Sequence, residues 1–247
     1  MQVAGLTNRG LERSRNEDSY FVKTEIGLVF LVVADGMGGH QAGNVASSLV
    51  VSTAEKLWEK LDPGVLLSTG GARQLLSRFI TEANEIIFSE AGNNLSKRGM
   101  GTTITAGLLC DNHLTIGHVG DSRAYLIKDD QIELLTRDHS LLEELIQSGQ
   151  VAPEEAQSHP QRHVLTRALG ISRDLDIDFT EQEIDDNSIL LFCTDGLTSL
   201  VHDKEILELS REKPESHKLA EALINLANDR GGYDNITVVV ATGIGGQ

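Results

Sequence analysis

Apolar residues recur at helical spacing in three stretches of the chain. Val45, Ala46, Leu49, Val50, Ala54, Leu57, Trp58 and Leu61 share one face of the first, and Leu75, Leu76, Phe79, Ile80, Ala83, Ile86 and Ile87 share one face of the second. Leu219, Ala220, Leu223, Leu226 and Ala227 do so in the third. A stripe repeating every three to four residues, with charge on the opposite side, marks a helix that lies on a larger apolar surface. Around these helices the pattern changes to short β-rich runs, at residues 2–7, 18–24, 27–34, 102–110, 113–119, 123–128, 131–136, 177–180, 188–194 and 235–242. Such runs are rich in β-branched and aromatic residues and are bounded by turn formers, as strands are.

Asp111-Asn112 and Asp129-Asp130 are two-residue links between such runs, the length of a tight hairpin. The middle of the chain is therefore expected to be an antiparallel meander. Helices segregated from hairpins point to antiparallel sheets rather than a doubly wound parallel one. Residues 138–176 combine a short helical pattern (Leu141, Leu142, Leu145, Ile146) with a segment rich in His, Pro and Arg, as expected of a surface flap. No repeat, low-complexity tract or Pro-rich linker divides the chain, so residues 1–247 are expected to form one domain.

Composition narrows the function. The chain has 247 residues, 40% of them apolar, enough for a substantial core. Its 21 basic and 37 acidic residues give a net charge of -16, which repels polyanions and argues against a nucleic-acid partner. A metal-dependent nuclease or nucleotide hydrolase would want a basic groove and stacking aromatics, and aromatics make up only 4%. The longest purely apolar run, residues 28–34, is far too short to span a membrane, and MQVAGLTNRG lacks a basic region followed by an apolar one. A cytoplasmic protein without membrane attachment is expected. Cys110 and Cys193 lie within apolar strand-like runs and read as buried thiols rather than a disulfide. Neither is followed six positions later by arginine, which excludes phosphocysteine chemistry.

The candidate chemistry is carboxylate chemistry. Asp35, Asp121, Asp195 and Asp234 each stand at the edge of an apolar strand near glycine, in GLVFLVVADG, LTIGHVGDS, ILLFCTDG and GGYDNITVVV. A strand end holds a short carboxylate rigidly, and a neighbouring glycine lets a carbonyl or an ion approach closely. Any one Asp-Gly pair reads most simply as a turn or a helix cap; Asp195 in particular could cap a short helix that follows it. Four together suggest a cage of hard oxygen ligands, which suits Mg²⁺ or Mn²⁺ rather than Zn²⁺ and offsets the repulsion among the carboxylates. Arg13 to Asp18, read as RSRNED, is a charge-dense turn whose guanidinium could pair with phosphate oxygens. Asp35-Gly36-Met37-Gly38-Gly39-His40 leads into the first helix without the ending of a nucleotide-binding loop, and His40 is either a proton donor or a polar residue beside a turn.

Taken in order, RSRNEDS, FLVVADGMGGH, GMGTTITAGLL, HVGDSRAYL, LLTRDHSL, LLFCTDGLTSLV and GGYDNITVVV closely resemble the metal-dependent serine/threonine protein phosphatases of the type 2C family, in particular their short bacterial members. The resemblance covers essentially the whole chain. It implies an α+β fold, a four-layer αββα sandwich of two packed antiparallel sheets flanked by helix pairs. It also implies hydrolysis of phosphoserine and phosphothreonine by metal-activated water at a centre of two or three Mn²⁺ or Mg²⁺ ions. By matching position, Asp35 would bridge two ions, the Gly36 carbonyl would bind the second, and Asp195 and Asp234 would bind the first. Asp121 with Asp195 would hold a third ion, Arg13 would clamp the phosphate, and Glu17 and Asp18 would act through water.

Animal members of the family carry histidine where this chain has Met37. Protonation of the leaving oxygen then falls to His40, to a metal-bound water or to no specific group. His163, in the flap, is a candidate substrate contact. The expected partners are phosphorylated proteins and a cognate Ser/Thr kinase opposed in bacterial signalling, with the protein acting as a monomer. The competing reading is a catalytically weak module that binds phosphoproteins without turning them over.

Overall fold

A computed structural model describes residues 1–38, 42–61, 70–152, 155, 159–161, 163–185 and 187–244. In chain order the elements are β1 (Gln2–Asn8), β2 (Asp18–Glu25), β3 (Leu28–Met37), α1 (Ala42–Glu59), α2 (Gly71–Asn93), β4 (Gly101–Thr102), β5 (Ile104–Cys110), β6 (His113–Val119), β7 (Arg123–Lys128) and β8 (Gln131–Leu134). There follow α3 (Leu141–Gln147), β9 (Asp178–Glu183), β10 (Ile189–Cys193), α4 (Asp195–Thr198), α5 (Asp203–Glu212), α6 (Ser216–Asp229) and β11 (Ile236–Thr242).

The strands form two antiparallel sheets, ordered β1-β11-β10-β7-β8 and β2-β3-β5-β6-β9, with β4 paired to the far end of β3. Strand β3 shows why they stack. Residues 28–34 are apolar without interruption because both faces of that stretch are buried. Val29, Leu31 and Val33 face the other sheet, among Phe192, Val239 and Ala241. Leu28, Phe30, Val32 and Ala34 face outward, against Ala46, Val50 and Ala54 of α1 and Leu76, Phe79 and Ile80 of α2. On the far side, Val238 and Val240 of β11 meet Leu219, Ala220 and Leu223 of α6 and Ile206 of α5. These three apolar layers make the expected four-layer αββα sandwich, and each buried Leu or Phe side chain contributes about 1.5–3 kcal/mol.

The hairpins expected at 111–112 and 129–130 are present. Asp129 and Asp130 both have positive φ, +48° and +61°, as a two-residue turn matching the twist of its strands requires. Other boundaries differ from expectation. Strand β3 continues past residue 34 to Met37, because β4 pairs Gly36 and Met37 with Thr102 and Gly101. The expected strand at 102–110 accordingly breaks at Thr103, which turns to bond Asp35 through both its backbone N–H and its hydroxyl, each at 2.9 Å. Strand β9 runs to Glu183, paired along β6, although its outer half is polar. Helix α5 was not among the expected helices: its many charges hide a stripe in which Ile206 is buried and Leu207 and Leu209 pack against the outer core.

Candidate active site

The functional candidates meet at one end of the sandwich, between the sheets. Asp18 and Asp35 are paired across β2 and β3, and each lies in phase with inward-facing residues, Tyr20 and Val22 on one strand and Val33 and Leu31 on the other. From the opposite sheet, Thr194 at the end of β10 and Thr237 near the start of β11 donate their hydroxyls to Asp18 Oδ2 at 2.8 and 2.7 Å. Asp121 follows β6, Asp195 opens α4 just after β10, and Asp234 precedes β11. Of the four strand-edge aspartates, only Asp35 lies within a strand, since β3 is longer than expected.

The resulting cleft is lined by Arg13, Glu17, Asp35, Gly36, Asp121, Asp195 and Asp234, with Leu165 to Ala168 and Ile171 from the flap. Asp18 sits beneath this surface, 5% exposed. Backbone packing fixes Gly36: a Cβ there would collide with the carbonyl of Gly43 in α1 and with that of Glu17, and no residue but glycine allows the strand and the helix to approach so closely. His40 lies outside the described residues.

Crowded carboxylates resist ionisation. Burial, followed by the charges of Asp18, Asp195, Asp121 and Asp234, holds the Asp35 carboxyl well above the usual carboxylate range. Burial and then Asp195 and Asp138 do the same to Asp121. Asp18 is pushed up to about 7, mainly by burial, with Asp195 and Asp234 adding to the rise and the two threonine hydroxyls opposing it. Asp18 Oδ1 and Asp195 Oδ1 are both buried and have no hydrogen-bond partner among the described residues. Buried oxygens normally find a donor, and a carboxylate left without one favours a cation.

The donor set, all oxygen, suits a hard divalent ion. Among the described residues no three His, Cys, Asp or Glu side chains converge tightly enough to hold an ion by themselves. Mutual repulsion spreads carboxylates apart, and Mg²⁺-like ions keep several waters, so a shell completed by water and a carbonyl fits the arrangement.

Arg13 reaches over the cleft and donates from Nη2 to Asp234 Oδ2 at 2.6 Å. Burial is the largest single influence and lowers its pKa, but Asp234, Asp35 and Asp195 together more than offset it, so the pKa is raised and the guanidinium stays charged. Its loop is fastened by Asn235, whose side chain donates to the carbonyls of Arg9 and Arg15 at 2.8 Å each and accepts from the Glu17 N–H at 2.8 Å. Asn235, Thr194 and Thr237 were not singled out from the sequence, although each lies in or beside a quoted aspartate motif. His163 Nδ1 lies 3.6 Å from Asp195 Oδ2.

The protein phosphatase 2C family model matches residues 11–230. The chain belongs to the protein phosphatase 2C family. It is 37% identical over 235 residues to the serine/threonine phosphatase stp of Listeria innocua, covering 95% of this chain and 92% of that one. The crystal structure of the Mycobacterium tuberculosis serine/threonine phosphatase PstP/Ppp superimposes with a TM-score of 0.89 at 38% identity, covering 98% of this chain and 97% of that one. A structure of the PstP catalytic domain in complex with two manganese ions gives a TM-score of 0.86 at 36% identity, with coverage of 98% and 97%.

Within this 2C-type site, Met37 supplies no proton. It ends β3 opposite Gly101, and a Cβ on Gly101 would lie 2.8 Å from Met37 Cε and 3.1 Å from Ile171 Cδ1. Met37 and Ile171 thus make one apolar wall of the cleft.

Proposed function

We propose that the protein is a metal-dependent protein serine/threonine phosphatase, hydrolysing phosphoserine and phosphothreonine at this cleft. The observation that carries the reading is the gathering of Asp35, Asp121, Asp195 and Asp234 round one cleft with Arg13, where one buried oxygen each of Asp18 and Asp195 lacks a hydrogen-bond partner among the described residues. In this reading Asp35, Asp195, Asp234 and the Gly36 carbonyl hold two Mn²⁺ or Mg²⁺ ions, and Asp121 with Asp195 holds a third. When bound, the ions supply Lewis-acid stabilisation of the phosphoryl oxygens and acidify water toward neutral pH.

The chain's own residues do the rest. Arg13 presents two parallel N–H donors to phosphoryl oxygens and orients the phosphate. Asp18 anchors the two sheets through Thr194 and Thr237, and its other oxygen, buried beneath the cleft without a hydrogen-bond partner among the described residues, is in this reading the one that orders water. Glu17, held through its N–H by Asn235, orders water at the rim. Because Met37 carries no proton, departure of the serine or threonine oxygen depends on His40 or on solvent.

A protein rather than a small metabolite is the substrate class favoured. The mouth is wide and partly apolar, with Tyr233 62% and Ile171 51% exposed beside the cleft, surfaces suited to a peptide on either side of the phosphate. We also infer one domain over residues 1–247, a partner kinase whose phosphorylation it reverses, and a cytoplasmic setting, for which the two free cysteines are suited. Among the described residues no helix is long and apolar enough to cross a membrane.

The test is phosphate release from a phosphothreonine peptide by the purified protein, with Mn²⁺ and then with excess chelator. Turnover that requires the metal is expected. Absence of turnover on several peptides would leave phosphoprotein binding without catalysis as the better reading.

A further inference from the structure

The Asp138-His139 pair in LLTRDHSL has no part in the chemistry above, yet it sits directly behind it. Asp138 receives Arg123 at both oxygens, Nε to Oδ1 at 2.9 Å and Nη2 to Oδ2 at 2.7 Å, which fixes the chain two residues beyond Asp121. His139, 4% exposed, grips Gly120 twice. Its backbone N–H donates to the Gly120 carbonyl at 2.7 Å, and its Nδ1 accepts the Gly120 N–H at 3.1 Å.

That second bond places the ring proton on Nε2, which faces Asp178 Oδ2 at 3.2 Å. Asp178 in turn receives Arg167 Nη1 at 2.9 Å. The His139 carbonyl accepts the Thr166 N–H at 2.8 Å. Thr166 and Arg167 belong to the flap wall of the cleft, which Asp121 also lines. One buried side chain and its peptide groups therefore join the turn that carries Asp121 to the wall that faces substrate.

We propose that His139 is a positioning residue that couples the Asp121 carboxylate to the flap wall at residues 165–168. The proposal rests on the metal reading above. Filling the Asp121 position stiffens Gly120, Gly120 is held by His139, and His139 holds Thr166 and, through Asp178, Arg167. Residues that orient a ligand from behind typically change metal affinity by about 10–100-fold when removed.

Two readouts besides turnover test it: Mn²⁺ binding by calorimetry and amide exchange of residues 163–170, each with and without Mn²⁺. In the wild type, Mn²⁺ slows exchange along the flap wall. His139→Ala weakens the weakest Mn²⁺ step by about 10-fold or more and abolishes the slowing. His139→Asn places an amide oxygen where Nδ1 stood, so it recovers most of the Mn²⁺ affinity while exchange at Thr166 and Arg167 stays fast. Asp178→Asn leaves the Gly120 grip intact; it keeps Mn²⁺ affinity within about 2-fold and speeds exchange at the wall, and it serves as the second probe where His139→Ala unfolds. Wild-type Mn²⁺ affinity and wild-type exchange in the folded His139→Ala and Asp178→Asn variants overturn the proposal. A wild-type protein that takes up no Mn²⁺ overturns the metal reading instead.

Discussion

Asp18 and Asp35 are direct cross-strand partners, and their side chains point to the same face of the sheet. Like charges so placed oppose folding by roughly 0.2–1 kcal/mol, and here burial raises both pKa values further. The fold accepts that cost at the end of the sandwich where the other carboxylates gather. A site that opposes folding when empty and supports it when filled has a thermal signature. Wild-type protein is expected to gain several degrees in Tm on saturation with Mn²⁺, since a ligand at about 100 times its Kd adds about 2.7 kcal/mol. Asp35→Asn raises the metal-free Tm by about 2 °C and loses the Mn²⁺-dependent gain. A scan of both proteins with chelator and with Mn²⁺ checks this; an Asp35→Asn protein that keeps the full gain removes Asp35 from the metal site.

Asp195 contributes little to the fold by itself, because its Oδ1 is buried and unpartnered among the described residues. Asp195→Ala is therefore expected to retain native stability within about 1 kcal/mol. Its turnover of a phosphothreonine peptide falls by about 10²-fold or more. Full activity in this variant would sink the assignment.

Arg13 has an exposed side chain, and its ion-pair partner among the described residues is Asp234, so its removal disturbs no core packing. Charge-assisted hydrogen bonds to a phosphate are worth about 1.5–3 kcal/mol, so Arg13→Ala raises KM by about 10- to 100-fold with kcat changed far less. Steady-state kinetics on one peptide separates the two constants. An unchanged KM excludes Arg13 from the phosphate position.

His118 gives the pH dependence. Burial is the main cause that drops its pKa from 6.5 to about 4, and neighbouring His139 adds to the drop. The unfolded chain therefore takes up a proton near pH 6.5 that the folded chain refuses until about pH 4. Stability from this residue is full above pH 6.5 and is lost as pH falls toward 4, by about 3 kcal/mol at most. The raised carboxylates of the metal-free site act in the opposite sense, so the comparison is with His118→Gln. Urea midpoints at pH 7.5 and pH 4.5 are expected to fall more for the wild type than for the variant, and equal falls contradict the assignment.

Both layers of the site were not equally legible. The aspartates announced themselves because each stands at the edge of an apolar run near glycine, a pattern that solvated surface charge does not produce. Their anchors did not. Thr194, Thr237 and Asn235 are ordinary polar residues whose roles arise only when distant segments meet, Asp18 with Thr237 and Arg9 with Asn235. The same applies to His139, which reads as loop until Gly120 is brought against it. Helix α5 escaped notice because charge dominates its sequence, and β9 looked short because half of it faces water. Periodicity reports burial, and it is silent where an element is only partly buried.

Packing between the sheets supplies a control that leaves the chemistry untouched. Gly107 of β5 lies on the inward face, paired with Leu31, and a Cβ there would collide with the ring of Phe192 in β10. Phe192 is wholly buried and cannot withdraw without opening the central core. Overpacking of this kind costs about 1–3 kcal/mol, so Gly107→Ala is expected to lower Tm by several degrees. Because the cleft lies at the end of the sandwich, its Mn²⁺ affinity and its KM at a temperature below the transition should match the wild type. A change in Mn²⁺ affinity as large as that in Asp35→Asn would mean that the carboxylate cluster is set by the spacing of the two sheets rather than by its local bonds to Thr103, Thr194 and Thr237.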